Sequence, residues 1–131
     1  MMSATYLDSS ALVKLVIEEP ESAALRSYLR RRRPLTSSAL ARTEILRAMS
    51  FEGEDGVARA RDVLSSVDLI RVNDRVLDAA GVLQPGEVRS LDAIHLATAQ
   101  LLGSDLGRLV AYDARMLEAA GTLGLRTDTP H

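Results

Sequence analysis

Four acidic side chains stand where a carboxylate is costly unless it has work to do: Asp8, Glu44, Asp92 and Asp113. Asp8 follows the apolar stretch Thr5-Tyr6-Leu7, and Asp113 follows Leu109-Val110-Ala111-Tyr112. Each stretch reads as a strand leading into a helix. In an open parallel sheet, ligands bind beyond the carboxyl ends of the strands, so both carboxylates are expected to face one crevice. Taken singly, either one also reads as a helix N-cap. Glu44 and Asp92 sit within the largely apolar helical segments 39–46 and 90–95. Asp92 falls in a first helical turn, where the helix dipole favours a carboxylate. Glu44 is mid-helix, and its plain structural alternative is an ion pair with Arg42 or Arg47.

Four carboxylates in one pocket repel each other, and some would be driven to protonate. Divalent cations relieve that repulsion. With no cysteine and only two histidines, an oxygen-rich ligand set selects hard ions such as Mg²⁺ or Mn²⁺ over zinc. Such ions polarise a phosphate, lower the pKa of a bound water and shield a leaving oxygen. Two of them would take the formal net charge from −2 to about +2, which makes an acidic pocket tolerant of a polyanion. The residues thus point to hard-metal chemistry on phosphate.

The elements that must position these acids follow from periodicity and punctuation. Strands are expected at 4–7, 34–37, 68–72 and 109–112, with a last edge strand at 125–127. Helices are expected at 11–18, capped by Ser9 or Ser10, and from Pro20 to about residue 32. Further helices are expected at 39–51, capped by Ser37 or Ser38, at 54–66, and at 75–83, capped by Asn73 or Asp74. The last two are expected at 91–102, capped by Ser90, and at 114–120. Gly53 ends one helix, and Pro85-Gly86 breaks the chain. Short strands separated by helices predict an α/β fold: three α/β/α layers around a short, mainly parallel sheet. At 131 residues, 47% of them hydrophobic, the chain fits a single domain spanning residues 1–131. One helix stands apart. Residues 11–17 are apolar all round except for Lys14, which predicts burial or a partner subunit.

The absence of cysteine suits an intracellular protein. No apolar run approaches the roughly 20 residues that span a bilayer, and no basic stretch leads into an apolar one at the amino terminus. A soluble, cytoplasmic protein without membrane contact is expected. Of 16 basic residues only Lys14 is lysine, and Arg30–Arg33 run together. That run reads both as a solvated helix end and as a patch that steers phosphate, because guanidinium makes forked contacts to it.

Several segments together resemble the PIN-domain nucleases. Residues 6–15, Tyr-Leu-Asp-Ser-Ser-Ala-Leu-Val-Lys-Leu, are similar to that family's opening strand and helix, and residues 42–48 to its second acidic motif. Residues 91–99, Leu-Asp-Ala-Ile-His-Leu-Ala-Thr-Ala, resemble its third, and residues 110–117 its fourth. The order and spacing match over nearly the whole chain. Size and helix pattern are most similar to the VapC toxins of bacterial toxin–antitoxin pairs. The resemblance implies that Asp8, Glu44, Asp92 and Asp113 ligate Mg²⁺, with Mn²⁺ as a substitute, in an endoribonuclease. It further implies that the Ser10 hydroxyl supports the site, that products carry 5′-phosphate and 3′-hydroxyl ends, and that a homodimer and a cognate antitoxin protein are the partners. Where the family carries a hydroxyl residue two before its fourth acid, this chain has Ala111, which weakens the expectation for Asp113. His95, one turn from Asp92, reads as a packed or hydrogen-bonded helix residue more readily than as a general base. His131 reads as part of a tail.

Other classes fit less well. Phosphoaspartate hydrolases need a second aspartate at the position of Ser10, and receiver domains need paired acids and a late lysine. A module that binds RNA or a partner through a decayed site has only Ala111 in its favour.

Overall fold

The computed structural model describes residues 3–131. Five strands form one sheet in the order β3-β2-β1-β4-β5, and every neighbouring pair is parallel. They are β1 (Ala4–Leu7), β2 (Leu35–Ser38), β3 (Asp68–Ile70), β4 (Leu106–Val110) and β5 (Thr127–Asp128). The helices are α1 (Ser9–Val16), α2 (Ser22–Leu29), α3 (Leu40–Met49), α4 (Gly53–Ser65), α5 (Asp74–Gly81), α6 (Ser90–Leu101) and α7 (Ala114–Thr122). The expected three-layer α/β/α architecture is therefore the one observed.

Alternation along the central strands builds the two outer layers. Leu7 and Val110 turn to one face, into a core with Leu12, Leu25, Ile45 and Leu64 from α1 to α4. Tyr6, Leu109 and Ala111 turn to the other, packing on Leu96, Ala99, Met116 and Ala120 of α6 and α7. Because both faces are covered, apolar residues stand side by side where β1 and β4 end, at Tyr6-Leu7 and Leu109-Val110. Burying each Leu, Ile or Val contributes roughly 1.5–3 kcal/mol.

Most differences from the sequence expectations lie at helix starts. The cap of α1 is Asp8 and not Ser9 or Ser10, because its own carboxylate reaches Ala11 N. Ser90 lies inside α6, whose N-cap is Arg89 with no side-chain capping bond. The cap position of α3 is Ala39, although the Ser38 hydroxyl still accepts from Leu40 N at 3.1 Å. Asn73 caps α5 as expected, accepting from Val76 N. Helix α2 begins after Pro20 and stops at Leu29, so the four arginines stand outside it. Continuing it would stack like charges, and Pro34 disfavours a helical residue 33. Strand β4 lies earlier than the expected 109–112, pairing Leu106–Val110 beside β1 and leaving Tyr112 beyond the ladder.

Helix α1 explains its own apolar surface. It is wedged against α2, α3 and α4, with Ala11, Leu12 and Val16 buried and Val13, Leu15 and Ile17 half-buried against the same core. Its one cationic side chain, Lys14, is tied to Glu21 at 2.7 Å and Glu19 at 3.3 Å. Packing within the chain thus accounts for a pattern that had suggested a partner subunit. Among the described residues, no helix is long and apolar enough to cross a membrane.

Candidate active site

The sheet's carboxyl edge gathers the acids, each by a different local device. Asp8 leaves β1 and is nearly enclosed, at 2% exposure. Its Oδ1 accepts from Ser10 Oγ at 2.6 Å and from Ala11 N at 3.0 Å. Burial pushes this carboxyl up to about 6, against the opposing pull of those two hydrogen bonds. The field of Asp113 raises it further. Ser10 does more than hold Asp8. Its Oγ also accepts from Tyr112 N at 2.8 Å, which ties the start of α1 to the segment that delivers Asp113.

Asp113 caps α7, with Oδ1 accepting from Arg115 N at 2.9 Å. Both strand-end aspartates are therefore N-caps and members of one acidic edge at once. Asp92 lies in the first turn of α6 as expected. Glu44 comes from α3, where neither Arg42 nor Arg47 pairs with it. Instead its Oε1 meets His95 Nε2 at 2.7 Å, and Ser9 Oγ reaches its Oε2 at 3.5 Å.

His95 is itself buried, and its Nδ1 lies 2.7 Å from the hydroxyl of the buried Tyr6. Burial drives the Tyr6 pKa up and keeps the phenol un-ionised. One arrangement satisfies all three groups: Tyr6 Oη–H donates to Nδ1, and Nε2–H donates to the Glu44 carboxylate. A hydrogen-bonded helix histidine was the expectation. Its partner, Tyr6, was not foreseen, and the only clue is that Tyr6 precedes Asp8 by two residues on one strand.

The sequence reading also missed Arg89. Its Nε donates to Asp92 Oδ2 at 3.0 Å and its Nη2 to Asp113 Oδ2 at 3.2 Å. The available signal was its position three residues before Asp92, a spacing that brings helix side chains together. Arg89 and Asp92 line a cavity of about 400 Å³ with Arg115 and Glu118. Among the described residues, no three acidic or histidine side chains are clustered tightly enough to hold a metal ion as they stand. The guanidinium supplies the positive charge between Asp92 and Asp113 instead. Ala111 faces the apolar layer with Leu96 and Met116, so a hydroxyl on that side chain would enter the core.

The PIN domain family profile matches residues 5–122. Ribonuclease VapC46 of Mycobacterium tuberculosis is 60% identical over 129 residues, covering 98% of this chain and 99% of that protein. The chain is a PIN-domain protein of the VapC type. Solved structures of this fold include a toxin–antitoxin complex from Klebsiella pneumoniae, with a TM-score of 0.74 at 23% identity over 97% of this chain and 98% of that one. They also include M. tuberculosis VapC20, described as a sarcin–ricin-loop-cleaving toxin, with a TM-score of 0.74 at 16% identity over 96% of this chain and 99% of that one. In this PIN domain Asp92 and Asp113 share Arg89, whereas Asp8 is held by Ser10 and Glu44 by His95. The Tyr6–His95 pair and Arg89 are the additions the structure makes.

Proposed function

We propose that the chain is a metal-dependent endoribonuclease, the toxin of a type II toxin–antitoxin pair, and that Asp8, Glu44, Asp92 and Asp113 form its catalytic site. The observation that carries this reading is the set of contacts at the sheet's carboxyl edge, where Ser10 holds Asp8 and Tyr112 N, His95 holds Glu44, and Arg89 joins Asp92 to Asp113. The identity to a VapC ribonuclease over nearly the full chain supports RNA as the substrate.

The donor set suits a hard divalent ion. Every candidate ligand is a carboxylate oxygen, and among the described residues neither Asp8 Oδ2 nor Asp92 Oδ1 accepts a hydrogen bond. Burial raises the Asp8 pKa, and a divalent ion beside it would favour the charged carboxylate. Asp8 and Asp92 would hold the principal Mg²⁺ or Mn²⁺, joined by Glu44, with Asp113 assisting a weaker second ion. Bound there, the ion would polarise the scissile phosphate and lower the pKa of an attacking water. The chain's own residues prepare that site. Ser10 fixes Asp8, His95 aims Glu44 at the edge, and Arg89 yields its place between Asp92 and Asp113 and becomes free to meet a phosphate oxygen.

A cytoplasmic homodimer silenced by a cognate antitoxin completes the proposal. Toxin–antitoxin complexes of the same fold support the partner, and the exposed Leu77, Val82 and Leu91 on and beside the packed helices α5 and α6 offer apolar surface for a dimer. The competing reading is an RNA- or partner-binding module without catalysis, and Arg89's occupation of the acidic edge favours it. Two measurements decide. Purified protein with Mg²⁺ or Mn²⁺ should cut RNA, and Asp8→Ala should lose both cleavage and any growth arrest on expression. No cleavage with either ion, together with no Asp8-dependent Mn²⁺ binding by calorimetry, hands the case to the binding module.

A further inference from the structure

The opposite end of the sheet is built from arginine. Arg31, Arg32, Arg33, Arg108 and Arg126 line one hollow of about 340 Å³, with Thr5 and Gly107 at its floor. They come from three segments that are far apart in sequence and arrive together because each precedes or opens a strand of the parallel sheet. Arg31–Arg33 lead into β2, Arg108 lies in β4, and Arg126 immediately precedes β5.

The backbone at this end is pinned. Thr5 donates from Oγ1 to Arg32 O at 2.6 Å and from N to Pro34 O at 3.0 Å, so the arginine loop is stitched to β1. Leu109 N donates to Arg126 O at 2.9 Å, anchoring the third segment to β4. At Gly107 a Cβ would stand 2.9 Å from Ser3 Cβ, so only glycine allows this close approach of β4 to the start of β1. Arg32 is held further by stacking over the Tyr28 ring, 3.9 Å from its centroid.

Among the described residues, one carboxylate alone pairs with this group. No carboxylate lines the hollow, and the nearest ion pair is a loose one, Arg108 to Asp128 at 3.8 Å. Among the described residues, Arg31, Arg32, Arg33 and Arg126 form no ion pair. Five arginines around one concavity, in a chain whose net charge is −2, concentrate positive charge there that an anion would relieve. Guanidinium forks match phosphate oxygens. Strand β1 separates this hollow from the acidic edge by about 13 Å, at ~3.3 Å per residue.

We propose that this hollow is a second RNA site, which takes backbone phosphates of a long or folded RNA whose scissile bond lies at the acidic edge. The site rests on the ribonuclease reading for its purpose but not for its charge. The acidic edge repels a polyanion until cations arrive, whereas the arginine end attracts it unaided. It therefore tethers substrate and contributes no reacting group.

The test uses the full chain carrying Asp92→Asn, so that RNA is bound and not cut, with binding followed by fluorescence anisotropy across a salt series. Added substitutions Arg31→Gln, Arg33→Gln and Arg126→Gln fall on exposed side chains, and an unchanged melting temperature confirms folding. The slope of log affinity against log salt should become shallower by about 2, at roughly 0.7 per lost phosphate contact on single-stranded RNA. With Asp92 restored, the triple variant should show a raised KM and unchanged kcat on long RNA, and unchanged cleavage of a short oligoribonucleotide. An unchanged salt slope overturns the proposal. So does a triple variant that loses binding of poly-glutamate but not of RNA, which would give the hollow to an acidic protein segment. Inorganic phosphate that displaces long RNA at the concentration filling a single-phosphate site also overturns it. A parent protein that cuts no RNA while the slope still changes sinks the nuclease reading and leaves this site standing.

Discussion

The two ends of the same parallel sheet handle charge in opposite ways. At the carboxyl end, Asp8 and His95 are buried, and each polar contact has a named partner: Ser10 for Asp8, Tyr6 for His95, His95 for Glu44. At the amino end, Arg31, Arg32, Arg33 and Arg126 are exposed and, among the described residues, form no ion pair. Buried polar networks in low dielectric are strong when complete and costly when broken. Exposed charges lose little by standing alone. Substitutions at the carboxyl end should therefore disturb fold and site together, and those at the amino end only the affinity for polyanions.

The largest effect is expected at His95. His95→Leu leaves the Tyr6 hydroxyl and Glu44 Oε1 without their shared partner and frees Glu44 to turn from the edge. Loss of one member of such a buried set costs about 1–3 kcal/mol, and loss of an orienting partner typically weakens metal binding 10–100-fold. Thermal unfolding reads the first and Mn²⁺ calorimetry the second. A variant that melts earlier but binds Mn²⁺ as the parent does would reduce His95 to a packing residue. His95→Gln, whose amide can still donate to Glu44, should recover part of the affinity.

Asp8 comes next, and its effect depends on pH. Burial raises its folded pKa to about 6, above the ordinary carboxylate value that it has in the unfolded chain. Protonated Asp8 thus favours the folded state at low pH, and that contribution disappears as pH rises through 6 and the buried group must ionise. Asp8→Asn, neutral at every pH, escapes this cost. In chelator, it should exceed the parent's stability at pH 8 by up to about 3 kcal/mol, since one unit corresponds to about 1.4 kcal/mol. The gain should fade as pH is lowered toward 4. A less stable Asn variant at pH 8 would mean that the carboxylate's charge is already compensated by its neighbours.

How far the sequence could be read follows the same division. The strands and helices are carried by local patterns, so the layered fold and the places of Asp8 and Asp113 just beyond β1 and β4 were legible from apolar runs that lead to an aspartate. The cap of α5 was legible at Asn73, but that of α1 was not. Asp8 displaced Ser9 and Ser10 because its reach to Ala11 N depends on the angle at which β1 enters α1. The Tyr6–His95–Glu44 chain joins three elements across 89 and 51 residues of sequence, a separation that no local pattern reports. The arginine run was visible, but its convergence with Arg108 and Arg126 exists only once β4 and β5 pair. The apolar surface of α1 left burial and a partner subunit both open, and three helices of the same chain cover it.

Arg89 blurs the contrast between the ends, being an exposed guanidinium placed among the acids. Its contacts to Asp92 and Asp113 are those of a counter-charge standing where cations are proposed to bind. Cation and guanidinium compete for Asp92 Oδ2 and Asp113 Oδ2, so each must weaken the other's hold. Arg89→Gln should therefore tighten Mn²⁺ binding several-fold, because it leaves two carboxylates with no resident positive charge. RNA affinity at saturating Mn²⁺ should fall modestly in the same variant, since a phosphate contact is lost. The two changes have opposite sign, which separates competition from simple damage: a misfolded or loosened edge would weaken both. If Arg89→Gln weakens Mn²⁺ binding, the guanidinium is a scaffold that holds Asp92 and Asp113 in place, and the carboxyl end is then a fully partnered network like the Tyr6–His95 pair beside it.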